Sequence, residues 1–212
     1  SGEIISFLDS DDYWKKNKLS IVNKAFKENL IDIFCHNEIS LDEKGNQVNK
    51  LNYGFNSSII YNDLLVYGNC LSTSAVSISK SFIINNQLKF SEKVKFITAE
   101  DYDFWLKLAK NNAKFYFCNK YLGFYQLHTN SNSTKNILNH QNNVKNVIYY
   151  HIKKIKSRNI KELSKARVLL SNLKLMIKNK KFREVYSICK NLKLSNIYFF
   201  IKFIFLKLSK KY

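Results

Sequence analysis

A short apolar run that ends in three carboxylates, Ile4-Ile5-Ser6-Phe7-Leu8 followed by Asp9-Ser10-Asp11-Asp12, constrains this chain more than any other stretch. The pattern reads as a buried strand whose C-terminal edge delivers acid groups into a crevice. Three acids within four positions repel one another unless something positive sits among them, and hard divalent cations take oxygen ligands of this kind. A metal is therefore one expectation. The other is that Asp11 or Asp12 N-caps a helix starting near Tyr13, a common role for aspartate. A cap uses only one of the three.

The segment Gly2-Glu3-Ile4-Ile5-Ser6-Phe7-Leu8-Asp9-Ser10-Asp11-Asp12-Tyr13-Trp14, with Lys18-Leu19 after it, resembles the Asp-x-Asp segment of the family 2 glycosyltransferases, inverting enzymes with the GT-A fold. The resemblance implies a nucleotide-sugar held through Mn²⁺ or Mg²⁺, with Asp11 as metal ligand and Asp9 facing the ribose or a metal-bound water. Asp12 is left with capping. Lys16 stands where the family often has proline, a helix-start preference rather than chemistry. In the family a nucleotide-binding half comes before this segment. By resemblance, then, the chain is expected to begin mid-domain, to lack the part that grips the base, and to be inactive alone.

A second acidic stretch, Glu100-Asp101-Tyr102-Asp103-Phe104-Trp105, opens a helical pattern carried by Phe104, Trp105 and Leu108. Acids in a first turn are favoured by the helix dipole, which suffices as a structural reason for them. The same stretch resembles the family motif that supplies the catalytic base. On that resemblance Asp101 takes the acceptor hydroxyl's proton, with Glu100 as the alternate. Residues 121–133 resemble the family's Tyr-Arg-x-His-x-x-Ser-x-Ser segment, which implies that His128, with Ser131 and Ser133, lies near the diphosphate or metal. Gln126 replaces the usual arginine, so a permanent cation is missing there.

Between these motifs, apolar spacing over 13–29 predicts a helix, 31–36 a strand and 42–46 a hairpin turn. His36 has no second metal-type residue at ligand spacing and reads as a packed sheet histidine. A helix over 59–66 ends at the cap signal Gly68-Asn69. Residues 70–78 alternate small hydroxyl and apolar side chains, as in a strand with one polar face. By family position Asn69, Ser72 and Thr73 are candidates to touch donor or acceptor sugar; each also fits an ordinary half-buried strand. Two further strands are expected at 114–118 and 121–128.

From residue 136 the chain turns to Lys-rich helix formers, with helices expected over 137–156, 160–178 and 181–192. The reading is therefore an α/β chain: the C-terminal part of a GT-A (Rossmann-like) domain over 1–135, then a helical extension over 136–212. The last stretch, 197–212, mixes Phe and Ile with lysines. It is too short and too charged to span a bilayer, so it either lies on an anionic membrane face or packs on the body.

The formal charge of +19 over 212 residues suits a polyanionic partner, although absence of proline and only five glycines equally suit drift in composition. Cys35, Cys70, Cys118 and Cys189 show no paired spacing and read as buried free thiols of a reducing compartment, the cytoplasm, with peripheral attachment to the inner membrane face. The expected partners are a nucleotide-sugar donor and a glycan or lipid-linked acceptor, as in bacterial surface polysaccharide synthesis. The competing reading is a basic helical protein that binds nucleic acid or scaffolds an assembly, but no nucleic-acid motif is present.

Overall fold

The computed structural model describes residues 2–55, 57, 59–128 and 136–209. Six strands form one sheet: β1 (Ile4–Ser6), β2 (Tyr13–Trp14), β3 (Ile33–Leu41), β4 (Gln47–Leu51), β5 (Val76–Ser79) and β6 (Phe115–Gln126). Their order is β1-β5-β3-β6-β2, with β4 also paired to β3. The long strand β3 meets β5 through its first residues and β4 through its last, both antiparallel. Along its other edge β6 runs parallel.

All of β3 is buried because both faces are covered. Ile33 and Cys35 point into the main core, where α4 (Glu100–Lys110) supplies Phe104, Trp105 and Leu108 and α5 (Ile137–Ile152) supplies Val147, Ile148 and Ile152. Phe34 points the opposite way, onto Val22 and Ala25 of α1 (Lys18–Glu28) and Leu122 of β6. This is the period-two alternation of a strand between two layers. α2 (Ile60–Tyr67) joins the main core through Leu64 and Leu65. The short α3 (Lys80–Asn85) follows β5, with its first turn capped by the Ser79 hydroxyl.

A buried polar chain ties α2, α4 and α5 together. His151 Nε2 lies 2.9 Å from Asp103 Oδ1, and His151 Nδ1 lies 3.2 Å from the Tyr61 hydroxyl. Lys107 Nζ is 2.6 Å from the other Asp103 oxygen. Burial would raise the Asp103 carboxyl, but the bonds from His151 and Lys107 outweigh it and hold it below the usual range. Beyond α5 come α6 (Arg158–Lys178), α7 (Phe182–Lys190) and α8 (Leu194–Ser209). Phe203 of α8 is buried against Leu163 and Ala166 of α6 and Val66 of α2, with Phe199 and Leu206 beside it. The tail helix thus packs on the body, yet Tyr198, Ile201, Phe205 and Leu208 stay exposed on it.

Several elements differ from the sequence expectation. α1 starts at Lys18, not 13, because Tyr13 and Trp14 are drawn into the sheet against Phe124 and Gly123. Asp12 caps nothing: the N-cap of α1 is Asn17, which makes no side-chain cap bond. The strand expected over 70–78 is confined to Val76–Ser79, since Thr73–Ala75 form a 3-10 turn. The two strands expected over 114–128 are one, β6, whose irregularity is absorbed by register shifts opposite His36, Asn37 and Glu38. All four cysteines are free, but Cys189 is exposed rather than buried. Among the described residues no helix is long and apolar enough to cross a membrane.

Candidate active site

The acids leave β1 in a tight turn, closed by the Asp12 N–H donating to the Asp9 carbonyl at 3.1 Å. Ser74, in the 3-10 turn, clasps that turn from below. Its hydroxyl accepts from the Asp9 N–H at 3.0 Å, and its carbonyl accepts from Trp14 Nε1 at 2.7 Å and from Lys18 Nζ at 3.4 Å. Asp12 is buried and its Oδ1 accepts from the Gln126 N–H at 2.9 Å, so it fastens the acid loop to β6. Burial first, then Asp11's charge, raises the Asp12 carboxyl, against the bonds from Ser74 and Gln126. Gln126 is an anchor as well: its side-chain amide donates to the Asp42 carbonyl at 2.6 Å.

Beneath the loop lie two buried charged side chains of opposite sign that the sequence did not announce. Lys18 is fully buried, its ammonium 3.4 Å from the centre of the Trp14 ring. The opposing charge is Glu38 of β3, also fully buried, which accepts from the Tyr53 hydroxyl at 3.0 Å. Burial pushes Lys18 down to about 7 while Glu38 pulls the other way. Glu38 is pushed up to about 7 by burial, opposed by hydrogen bonds from Ser72 and Tyr53. The spacing Trp14-x-x-x-Lys18 is thus a cation seated on an aromatic face at the root of the acid loop. His36 is buried as expected; Nδ1 meets the Asn37 carbonyl oxygen at 2.8 Å, and Nε2 has no hydrogen-bond partner among the described residues.

The two acidic stretches come together. Phe7, just before the loop, packs edge-on against Trp105 of α4 at 6.2 Å, which sets the end of β1 beside the start of that helix. Asp9 is raised by burial, then by the charges of Asp12, Asp11 and Glu100. Asp101 is pushed up to about 6, mainly by burial, with Glu100 and Asp9 adding to it and the Tyr102 N–H and Asn69 opposing. Asn69 donates to Asp101 Oδ2 at 3.1 Å and accepts from the Leu71 N–H at 3.1 Å, so it is fixed beside that carboxylate.

Across the loop, His128 Nε2 stands 3.4 Å from Asp11 Oδ2, both side chains well exposed. Ser72 turns inward toward Glu38, and Thr73 is half-buried in the turn. Ser131 and Ser133 lie outside the described residues. The structure therefore links Asp9 with Asp11, Glu100 and Asp101 through their charges, Asn69 with Asp101 through a hydrogen bond, and Asp11 with His128 across 3.4 Å, while Ser72 meets Glu38. Ser74, Lys18 and Glu38 are the supporting residues that sequence reasoning missed. A lysine four positions after Trp14 was the one available signal.

The model of the glycosyltransferase-like family 2 matches residues 1–157. The chain belongs to this family. A Rickettsia felis protein described as an uncharacterized glycosyltransferase is 26% identical over 113 residues, which is 53% of this chain and 18% of that protein. Among solved structures, S. aureus TarS 1-349 in complex with UDP-GlcNAc aligns at TM-score 0.55 and 20% identity over 96% of this chain and 56% of that one. Another S. aureus TarS structure aligns at 0.50 and 21% identity over 80% of this chain and 28% of its own. The chain thus spans between 18% and 56% of the length of these relatives. At these identities the structural likeness carries the fold, a GT-A α/β arrangement continued by helices. The family match runs through α5, the helix that shares the main core with the sheet.

Proposed function

We propose that this chain carries the diphosphate-facing and acceptor-facing groups of an inverting glycosyl transfer from a nucleotide-sugar to an acceptor hydroxyl. The observation that carries the reading is the meeting of the two acidic stretches: Asp101, at the start of α4, feels both Glu100 and Asp9 and is pushed up to about 6. A carboxylate with such a value is ionised at neutral pH yet basic enough to accept a proton efficiently. Asp101 takes the proton of the acceptor hydroxyl as the oxygen attacks the anomeric carbon from the face opposite the departing diphosphate. Asn69 holds the Asp101 carboxylate in orientation through its amide. Glu100, half-buried beside it, is the alternate base.

Asp11 and His128 fit a divalent cation, Mn²⁺ or Mg²⁺. They offer a carboxylate oxygen and an imidazole nitrogen 3.4 Å apart, close to the roughly 3 Å between neighbouring ligands of one small cation. Among the described residues no group of three or more such side chains is gathered, so the donor's own oxygens and water would complete the shell. The ion would supply charge neutralisation for the leaving diphosphate. Asp9 faces the donor's ribose in this reading, and TarS, bound to UDP-GlcNAc in one of its structures, lends support to a nucleotide-sugar donor.

A glycan or lipid-linked acceptor at an anionic membrane face suits the exposed Tyr198, Ile201, Phe205 and Leu208 of α8, interleaved with Lys202 and Lys207. The test of the chemistry is Asp101→Asn against Glu100→Gln in the full-length protein. Turnover of nucleotide-sugar should fall roughly 10²-fold or more in Asp101→Asn, with donor binding kept. A crippled Glu100→Gln beside an active Asp101→Asn would exchange the two roles.

A further inference from the structure

A cavity of about 490 Å³ opens beside Asp101, walled by the end of α2, the start of α4 and the facing sides of α5 and α6. Asn69 and Asp101 line it together with His140, Gln141 and Lys145 of α5 and Arg167 of α6. Arg167 lies beyond the stretch matched by the family model, so this wall is contributed by the helical extension.

The charges in this wall are not spoken for. The Arg167 guanidinium is half-buried, and among the described residues its one hydrogen bond goes to the Tyr102 hydroxyl at 3.1 Å. A guanidinium carries five N–H donors, and a half-buried one is ordinarily met by a carboxylate or phosphate. Its seat is shaped for it: a side chain at Gly68, where φ is +113°, would come within 2.7 Å of the guanidinium. Lys145 forms no ion pair among the described residues, and its nearest marked contact is the Tyr149 ring at 5.9 Å. Gln141 Oε1 is buried and meets no donor among the described residues. His140 is not a third cation, because burial lowers it, and its Nδ1 is engaged by the Thr98 hydroxyl at 3.0 Å.

We infer that this cavity is an acceptor site for a molecule that carries an oxyanion group, with the reacting hydroxyl at Asp101 and the anion on Arg167 and Lys145. The lining supports it: the proton acceptor Asp101 and the basic side chains Arg167 and Lys145 share one cavity, with the Gln141 oxygen, which meets no donor among the described residues, placed to accept from a further hydroxyl. The inference rests on Asp101 being the base, and the helical extension becomes the element that selects the acceptor.

The probes are inorganic phosphate and acetate, titrated into the ¹⁵N-labelled full chain and read at the Arg167 Nε–H and the Gln141 side-chain amide. Saturable shifts at both reporters are expected, weakened at least threefold in Lys145→Ala and more in Lys145→Glu, a half-buried position whose change leaves Arg167 and the core in place. The anion that binds more tightly names the acceptor's group. No shift with either anion, or shifts untouched by Lys145→Glu, overturns the site. So does UDP shifting Arg167 rather than Asp11 and His128, which would give the cavity to the donor. Phosphate binding intact with full turnover by Asp101→Asn would leave the anion site and remove the base; lost turnover with no anion at Arg167 would do the reverse.

Discussion

Replacing Lys18 with methionine keeps the buried stem but removes the ammonium with its contacts to the Ser74 carbonyl and the Trp14 ring, and the loss of its attraction to Glu38 gives the result a sign that depends on pH. In the wild type Glu38 is held near 7, above its ordinary 4.5, so the folded state binds the extra proton. Stability from Glu38 is fully present below about 4.5 and is lost as pH climbs toward 7. Lys18 is lowered from 10.5 to about 7, so above 7 the unfolded state binds the extra proton and stability is regained. From pH 6 to 8 the two trends cancel in the wild type.

In Lys18→Met the regaining limb is absent, and Glu38, stripped of its opposing cation, is pushed higher still. At about 1.4 kcal/mol per proton per pH unit, the variant loses up to about 2.7 kcal/mol across those two units. The gap between variant and wild type should therefore widen by about 2 kcal/mol from pH 6 to pH 8. Urea unfolding at the two pH values, followed by fluorescence of Trp14 and Trp105, measures it. In Lys18→Met with Glu38→Gln the widening should vanish. A gap that does not change with pH, or one that persists in the double variant, would refute the pairing of these residues.

Asp11→Ala and His128→Ala should each abolish or strongly weaken Mn²⁺-dependent UDP binding by calorimetry while leaving the unfolding midpoint in place, since both side chains are exposed; undiminished metal-dependent binding would remove them from the site. On α8, Phe205→Ser with Leu208→Ser should cut co-sedimentation with anionic vesicles several-fold without loss of stability, because both are more than two-thirds exposed, at 68% and 72%. Added salt should weaken the wild-type binding; equal sedimentation with neutral vesicles would speak against an anionic lipid surface.

How much of this was legible in the sequence follows from how local each determinant is. The acid loop, α4 and the cap at Gly68 were legible because apolar periodicity, clustered acids and a glycine are signals within a few residues. The strand at Tyr13–Trp14 was not, since its pairing with Gly123 and Phe124 is made by a distant segment and overrides a helical spacing. Glu38 and Lys18 carry no local signal of burial in the sequence. Their burial comes from cover on both faces of β3, supplied by α1, the 3-10 turn and β6 together. Arg167 could not be tied to Asp101 in any way, because only the packing of α6 against α2 brings it to the same cavity.

The central claim is that Asp101 is the base of the site formed by the two acidic stretches, and the pH profile of sugar transfer from UDP-GlcNAc tests it most directly. Turnover in the wild type should rise with a midpoint near 6, because the ionised carboxylate is the active form and burial with its acidic neighbours holds it at about that value. In Asp101→Asn the rate should be lower by roughly 10²-fold or more, and that rising limb should be gone. A rising limb near 6 that survives in Asp101→Asn, at an undiminished rate, would contradict the account.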